Sequence, residues 1–280
     1  MRRPRHSQPA EGGPRPIVNT GRFDLNYVEA GSGFPVVLIH GLAGDHTAWL
    51  PQIEAFKRKW RVVAFDNPGS GTSSKVDAPV TTAELGAATH GLMDHLGIAQ
   101  AHIVGRSMGG AIAQHVALAQ PARVRSLTFA ASFGRMDALG RRMIENMQTL
   151  LAWRKNWADW APFAVPLFVS PDFYNDNPAL VERVTKMISD PARDMVSYSH
   201  LAQACLDHDT LDRLHEIMAP TLVMSGRYDP ICANLSQTWL LERLPNTTFV
   251  PFEHSSHYFM VEEAKKALAT LTDWLTKHTA

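Results

Sequence analysis

Short apolar runs alternate along the chain with longer amphipathic segments, and this alternation predicts the fold. The runs of strand length are Phe23–Ala30, Pro35–Ile39, Arg61–Phe65, Ala101–Val104, Val124–Ala130, Thr221–Ser225 and Thr247–Val250. Continuous apolar runs are typical of strands that are buried on both faces of a parallel sheet. Helical patterns occupy Asp45–Lys59, Thr81–Gly97, Met108–Gln120, Asn234–Arg243 and Glu262–Lys277. The pattern predicts an α/β fold, in which helices on both faces cover a mostly parallel central sheet.

The alternation lapses over residues 134–218, where helical periodicity continues without a convincing central strand. We therefore expect a core built from residues 17–133 and 219–280, with a helical insertion between its two parts. Residues 1–16 carry four arginines and four prolines and almost no apolar side chains. Such a segment cannot bury enough surface to order itself, so we predict a disordered tail. Docking of this tail on an acidic partner is the alternative.

The bulk composition narrows the class of protein. The 280 residues are 45% apolar and 19% charged, as in an ordinary soluble globular protein. Basic and acidic residues balance at 27 each, so the charge gives no reason to expect nucleic acid or a membrane as partner. No apolar run reaches the ~18–20 residues that a membrane-spanning helix needs. Cys205 and Cys232 have neither metal-type spacing nor a disulfide framework, which favours a reducing, cytoplasmic location. The oligomeric state is left open.

The strongest chemical signal is the stretch Gly105-Arg106-Ser107-Met108-Gly109, which fits the pattern Gly-x-Ser-x-Gly. It follows an apolar strand and opens a helix, and in that context the pattern places a serine on a strained turn above the sheet. The glycines are needed because the residues two before and two after the serine are squeezed together, so that a side chain on either would collide with the other arm. A capping serine in a glycine-rich turn is the alternative interpretation of Ser107.

An acid and a histidine follow Ser107 at the ends of later predicted strands. A serine hydroxyl needs a base to act as a nucleophile, and the base needs a group that orients it. Asp229 comes after the strand Thr221–Ser225, and His257 comes after the strand Thr247–Val250. The order Ser, Asp, His is the one used on open α/β sheets. These three residues are therefore the candidate catalytic group.

Competing interpretations of these and two further residues remain open. His254 lies three residues before His257 and is the alternative base. Asp229 precedes a proline, and Asp-Pro pairs are common in turns. Asp66 is a second acid at a strand end, and we expect it to hold its own turn together. We interpret His40 as structural.

Together these segments resemble the α/β-hydrolase superfamily over nearly the whole chain from Ile17. The residues that carry the resemblance are His40-Gly41-Leu42, Asp66 to Ser73, Gly105 to Gly110, Gly226 to Pro230 and Ser256-His257. Within the superfamily the chain is most similar to compact esterases, enol-lactonases and carbon–carbon hydrolases. The chain departs from the family pattern at two places. Ser256 stands where the family often has glycine, and Asn67-Pro68 replaces the more usual Arg or Met/Pro. Neither departure touches a catalytic atom.

The resemblance implies roles for these residues. Ser107 would attack an acyl carbon, His257 would take its proton and return it to the leaving group, and Asp229 would hold the imidazole and stabilise its cation. The backbone N–H groups of Leu42 and Met108 would hold the oxyanion. The helical insertion would correspond to the cap over the active site.

Aromatic residues of the insertion are candidates for the substrate pocket. Trp153, Trp157 and Trp160 follow a helical i, i+4, i+7 spacing, which predicts one shared face. They either pack the cap against the core or line an apolar acyl pocket. Further candidates for the same wall are Phe133, Met136, Phe163, Phe168 and Met187.

The sequence contains no phosphate-binding loop, metal cluster or dinucleotide fingerprint, so we expect neither a cofactor nor a metal. Gly69-Ser70-Gly71 follows a strand but lacks a third glycine in register. The predicted function is a serine hydrolase that cleaves a small carboxylic ester or lactone through an acyl-enzyme. A serine at position 107 argues against the dehalogenases and epoxide hydrolases of this fold, which use a carboxylate. Carbon–carbon hydrolysis of ring-cleavage products, a non-catalytic ligand receptor and a cofactorless oxygenase are the alternatives.

Overall fold

The computed structural model describes residues 16–232 and 234–279, and these residues form an eight-stranded sheet with helices around it. The strands are β1 (Ile17–Asn19), β2 (Asp24–Ala30), β3 (Pro35–Ile39), β4 (Arg61–Phe65), β5 (Ala101–Arg106), β6 (Val124–Ala130), β7 (Thr221–Gly226) and β8 (Thr247–Phe252). Their order is β1-β2-β4-β3-β5-β6-β7-β8. The pairings of β2 with β1 and β4 are antiparallel and all the others are parallel. The predicted α/β class and mostly parallel sheet are confirmed. Except for Pro16, the predicted tail at residues 1–16 lies outside the described residues.

Helices cover both faces of the sheet. They are α1 (Leu50–Phe56), α2 (Thr82–His95), α3 (Met108–Ala119), α4 (Ala138–Arg154), α5 (Trp157–Phe168), α6 (Pro171–Asp176), α7 (Pro178–Ile188), α8 (Met195–Asp207), α9 (Asn234–Arg243), α10 (Phe259–Glu262) and α11 (Ala264–Thr279). Val37 and Ile39 of β3 pack into one apolar core, whereas Val36 and Leu38 pack into a second core on the opposite face. Because successive side chains of a strand point to opposite faces, two cores require the continuous apolar runs seen in the sequence.

The parallel strands place the candidate catalytic residues at one edge of the sheet. β5 lies beside β3 and β6, and β7 and β8 follow in the same direction. Ser107, Asp229 and His257 come after β5, β7 and β8 respectively. Because parallel strands end at the same edge, three residues that are far apart in sequence become neighbours.

Five helices, α4 to α8, fill the chain between β6 and β7. The prediction that Trp153, Trp157 and Trp160 share one helix face is wrong. α4 ends at Arg154, and the following Lys155 has a left-handed φ of 50°. The side chain of Asn156 then accepts a hydrogen bond from the Ala158 N–H and caps the start of α5. A helical spacing that is counted across this break has no meaning, and Trp153 lies 74% exposed on the surface.

Two further features of the structure differ from the pattern. β1 is an additional short strand that pairs with β2, and its three residues are too few to show a period. The helix expected at Glu262–Lys277 corresponds to α11, which begins only at Ala264, because Glu263 leaves the helical conformation and separates α11 from α10. None of the helices in the described part of the chain is both long and apolar enough to span a membrane.

Candidate active site

Ser107 stands on the turn between β5 and α3. Its φ of 53° and ψ of −121° lie in a region that residues with a Cβ rarely adopt. A Cβ on Gly105 would lie 2.2 Å from the carbonyl oxygen of Gly109. A Cβ on Gly109 would lie 2.1 Å from the carbonyl oxygen of Ile39 on β3. The turn is therefore as crowded as the pattern indicated, but only the first collision is between its two arms, and the second is with the neighbouring strand.

Asp229 and His257 meet where β7 and β8 end. Nδ1 of His257 lies 2.8 Å from Oδ2 of Asp229. The other carboxylate oxygen, Oδ1, accepts hydrogen bonds from the N–H groups of Ile231 at 2.8 Å and Cys232 at 2.9 Å. Both the acid and the histidine are 5% exposed. The turn thus orients the carboxylate, and the carboxylate orients the imidazole. Nε2 is the ring nitrogen that does not contact Asp229. His254, the alternative base, is exposed.

Ser107 and His257 line the same small chamber. In the described residues the Ser107 hydroxyl makes no hydrogen bond to His257, and such bonds often tighten only when substrate binds. Cys232, which is 1% exposed, lies beside both residues and interacts with the side chain of Ser107. Burial raises the pKa of the Cys232 thiol well above its usual range, so this group is a neutral thiol at pH 7.

The two predicted oxyanion donors are the backbone N–H groups of Leu42 and Met108. Met108 is the first residue of α3, so its N–H has no acceptor inside the helix. Leu42 lines the chamber and follows Gly41, where a Cβ would lie 3.0 Å from Cβ and 3.6 Å from Oγ of Ser107. Gly41 therefore keeps the space beside the serine hydroxyl open, which a larger residue would fill.

His40 and Asp66 hold the loops that border this space. Nε2 of His40 accepts a hydrogen bond from the Asn67 N–H at 2.9 Å, and Asp66 accepts bonds from the N–H groups of His46 and Thr72 at 2.9 and 3.1 Å. Burial alone would raise the pKa of Asp66, but the hydrogen bonds from His46 and Thr72 hold it far below its usual range. Burial lowers the pKa of His40. Both residues stabilise turns, as the sequence indicated.

Two adjoining cavities lie at this edge of the sheet. The inner chamber, of about 30 Å³, holds Ser107 and His257, and the outer cavity has about 300 Å³. They share Ala43 and Tyr198 as wall residues. The residues that the helices between β6 and β7 contribute to the inner chamber are Ile144, Met147, Trp160, Phe168 and Tyr198. The site is thus enclosed by helical residues on one side and by the ends of the strands on the other.

The residues predicted for the pocket wall are divided among four environments, namely the inner chamber, the outer cavity, the buried core and the exposed surface. Trp160 and Phe168 line the inner chamber, and Trp157 lines the outer cavity. Phe133 and Met136 are buried in the core and line neither space. Trp153, Phe163 and Met187 are 74%, 62% and 51% exposed and also line neither space. The presence of an aromatic residue in a predicted helix therefore does not indicate whether its side chain faces a cavity, the core or solvent.

Several residues that line the inner chamber were not predicted from the sequence. Arg106 and Tyr258 directly adjoin Ser107 and His257 in the chain, so their position in the motifs was a usable signal. Tyr198 is contributed by α8, and no local pattern distinguishes it from other buried helical residues. The other residues missed are Ala43, Ile144, Met147 and Ile231.

Two groups in the described residues bring possible metal ligands within 4.8 Å of one another, namely Asp229-Cys232-His257 and Asp45-His46-Asp66. In the first group the carboxylate already accepts three hydrogen bonds, and the thiol carries its proton. In the second group Asp66 is likewise bonded to its own loop. Hydrogen bonding alone accounts for both arrangements.

A family model and several known proteins match most of this chain. The family model described as alpha/beta hydrolase fold matches residues 35–264. "Putative carbamate hydrolase RutD" of Caulobacter sp. (strain K31) is 32% identical over 251 residues, which cover 88% of this chain and 91% of that protein. "3-oxoadipate enol-lactonase 2" of Acinetobacter baylyi is 28% identical over 241 residues, with coverages of 85% and 88%.

Solved structures show the same architecture. A thermophilic esterase from Thermogutta terrifontis superposes with a TM-score of 0.85 at 24% identity, covering 96% of this chain and 100% of that one. The family model covers most of the chain, and this extent assigns the chain to a family. The chain belongs to the α/β-hydrolase family, and it resembles the esterases and enol-lactonases within it.

Proposed function

We propose that this α/β hydrolase is a serine hydrolase that cleaves a small carboxylic ester or lactone through an acyl-enzyme. The observation that carries the proposal is the 2.8 Å contact between His257 and a buried Asp229, beside a strained Ser107 in one chamber. A relative named as an enol-lactonase supports the substrate class. The free thiols of Cys205 and Cys232 fit our proposal of a reducing, cytoplasmic location.

The proposed reaction uses the chain's own groups. Oγ of Ser107 attacks the acyl carbon while Nε2 of His257 accepts the hydroxyl proton, and Asp229 stabilises the resulting imidazolium. The N–H groups of Leu42 and Met108 hold the oxyanion, and each such donor contributes about 10²–10³ in turnover. Collapse of the tetrahedral intermediate expels the alcohol, which receives the proton from His257. In deacylation, His257 accepts a proton from water while the water oxygen attacks the acyl carbon. Collapse of this second tetrahedral intermediate breaks the bond to Oγ of Ser107, which receives the proton back, and releases the carboxylic acid.

We further propose that the helices at residues 134–218 act as a cap that sets the size of the substrate. The inner chamber of about 30 Å³ accepts a short acyl group against Trp160 and Phe168, and the outer cavity of about 300 Å³ accommodates the remainder. A narrow apolar wall favours small acyl groups because longer ones would have to displace packed aromatic rings.

Labelling with a fluorophosphonate tests the proposed nucleophile. The wild-type protein should gain one probe per chain, and peptide mapping should find it on Ser107. The matched control Ser32→Ala, in an exposed turn, should label normally, whereas Ser107→Ala should not label. A folded wild-type protein that remains unlabelled would contradict the serine-hydrolase proposal. Rates on short and long aryl esters, lactones and vinylogous diketones then separate esterase, lactonase and carbon–carbon hydrolase.

A further inference from the structure

Arg106 directly precedes Ser107 and lines the inner chamber. Its Cζ lies 4.8 Å from the centroid of the Tyr258 ring. That ring in turn stacks on Phe168, with centroids 4.9 Å apart and planes inclined by 11°. Because Tyr258 and Phe168 also line the chamber, the guanidinium is held on an aromatic wall next to the proposed nucleophile.

The charge of Arg106 has no counterpart in this chamber. None of the described residues that line it is an aspartate or a glutamate, and no described carboxylate forms an ion pair with the guanidinium. Arginine stays protonated at all ordinary pH values. A partly buried cation without a counter-ion is unfavourable, and an anion that enters the chamber offsets this cost.

Tyr198, another residue of the chamber wall, also has an unused hydrogen-bond donor. Tyr198 is 4% exposed, and its hydroxyl is buried without a hydrogen-bond partner among the described residues. Burial raises the pKa of Tyr198, so the group remains a neutral O–H donor. A ligand that supplies several acceptor oxygens would satisfy both Arg106 and Tyr198, which an alkyl chain cannot do.

We propose that Arg106 is a specificity-determining residue that binds a free carboxylate of the substrate. The preferred substrate is then a short ester or lactone that also carries a carboxylate group. A carboxylate matches the guanidinium through two parallel N–H···O bonds, which a neutral ester group cannot form. The proposal rests on the proposed serine-hydrolase function, and it covers a carboxylate on the acyl side or on the alcohol side of the scissile bond.

Matched substrate pairs test this specificity. Monomethyl succinate against dimethyl succinate probes the acyl side, and acetoxyacetate against its methyl ester probes the alcohol side. We expect the ratio of kcat/KM for the anion to that for the neutral ester to fall about 10- to 100-fold in Arg106→Met for at least one pair. Arg106→Lys should keep most of the ratio, and Arg106→Gln replaces Arg106→Met if the latter does not fold. Arg213→Met, which removes an exposed arginine outside both cavities, should leave the ratio unchanged.

A binding measurement separates this proposal from the proposed reaction. Succinate should bind Ser107→Ala in calorimetric titration, and Ser107→Ala combined with Arg106→Met should bind at least tenfold more weakly. This result would support Arg106 even if no ester were hydrolysed. Succinate affinity that is equal in the two proteins, or substrate ratios that change less than threefold for both pairs, would overturn the proposal.

Discussion

The orientation of Asp229 depends on the turn that follows it. Two backbone N–H groups, from Ile231 and Cys232, bind one carboxylate oxygen and leave the other for His257. A Cβ on Gly226 would lie 2.1 Å from the carbonyl oxygen of Ser256, so the loops that carry the acid and the histidine approach closely. A short side chain can reach its partner here because the two backbones are already in contact.

Replacement of Asp229 by asparagine is expected to reduce kcat about 10³–10⁴-fold. The amide keeps the shape of the side chain but stabilises the wrong imidazole tautomer and no longer compensates its positive charge. Initial rates on a short aryl ester measure the change, and a thermal melt checks that the fold is kept. Asp212→Asn, at an exposed position, is the matched control. A variant of Asp229 that retains more than a tenth of the rate would contradict the assignment of the acid.

The two neighbouring histidines should respond very differently to alanine. His257 contacts Asp229 and lines the chamber, whereas His254 is exposed. We expect His257→Ala to lose at least about 10³-fold in kcat, since the base is removed, and His254→Ala to stay within twofold of wild type. Steady-state kinetics on one ester compare the pair. An inactive His254 variant beside an active His257 variant would exchange their roles.

At the scale of elements, the helices between β6 and β7 pack against one another through a few aromatic side chains. Trp157, Trp160 and Tyr198 form mutual edge-to-face contacts with centroids 5.2 to 5.8 Å apart. The indole N–H of Trp160 donates to the Met147 carbonyl of α4 at 2.9 Å. This cluster therefore joins α4, α5 and α8 directly above the inner chamber.

Alanine at Trp160 and alanine at Trp153 form a matched pair on neighbouring helices. Trp160 is 1% exposed, so Trp160→Ala should lower the free energy of unfolding by about 3–5 kcal/mol. It should also shift the preferred acyl chain toward longer groups, since it enlarges the chamber. Trp153→Ala, at an exposed position, should change stability by less than ~0.5 kcal/mol. Urea denaturation and an ester chain-length series measure both effects, and equal losses in the two variants would exclude this packing.

The sequence predicted the strands better than it predicted the helical insertion. Strands β3 to β7 lie within one or two residues of their apolar runs, because burial on both faces demands a continuous run. In the insertion, one face of each helix is apolar whether it packs against the core, another helix or a cavity. Trp160 and Phe163 of α5 illustrate this point, since one lines the chamber and the other is 62% exposed.

At the scale of the whole molecule, His102 links the sheet to the C-terminal helix. It lies fully buried on β5, with its ring nitrogens 2.7 Å from Oγ of Ser126 and 3.1 Å from Oγ1 of Thr279. Burial, helped by the nearby charges of His278 and Arg125, lowers the pKa of His102 to about 4. The folded protein therefore binds a proton here more weakly than the unfolded chain does.

This difference predicts a loss of stability in mild acid. As pH falls below 6.5, the pKa of this histidine in the unfolded chain, the unfolded chain takes up the proton and the folded protein does not. The free energy of unfolding therefore decreases as pH falls from 6.5 toward 4. Below pH 4 both states are protonated, and His102 causes no further decrease. Between pH 7 and pH 4.5, the free energy of unfolding of His102→Gln should decrease by about 2 kcal/mol less than that of wild type. Urea denaturation at the two pH values measures the difference. His215→Gln, at an exposed histidine, should behave like wild type, and an unchanged slope in the His102 variant would contradict the prediction.

The sequence by itself determined the class of fold, the turn that carries Ser107 and the chain order of the three candidate catalytic residues. These features are local, since apolar runs, glycines at crowded turns and strand ends depend on neighbours along the chain. The tertiary structure alone decided that Asp229 Oδ2 and His257 Nδ1 lie 2.8 Å apart, and that Arg106 and Tyr198 belong to one chamber. Those contacts join strands and helices that are far apart in sequence, and their distances depend on how the two cores pack around the sheet.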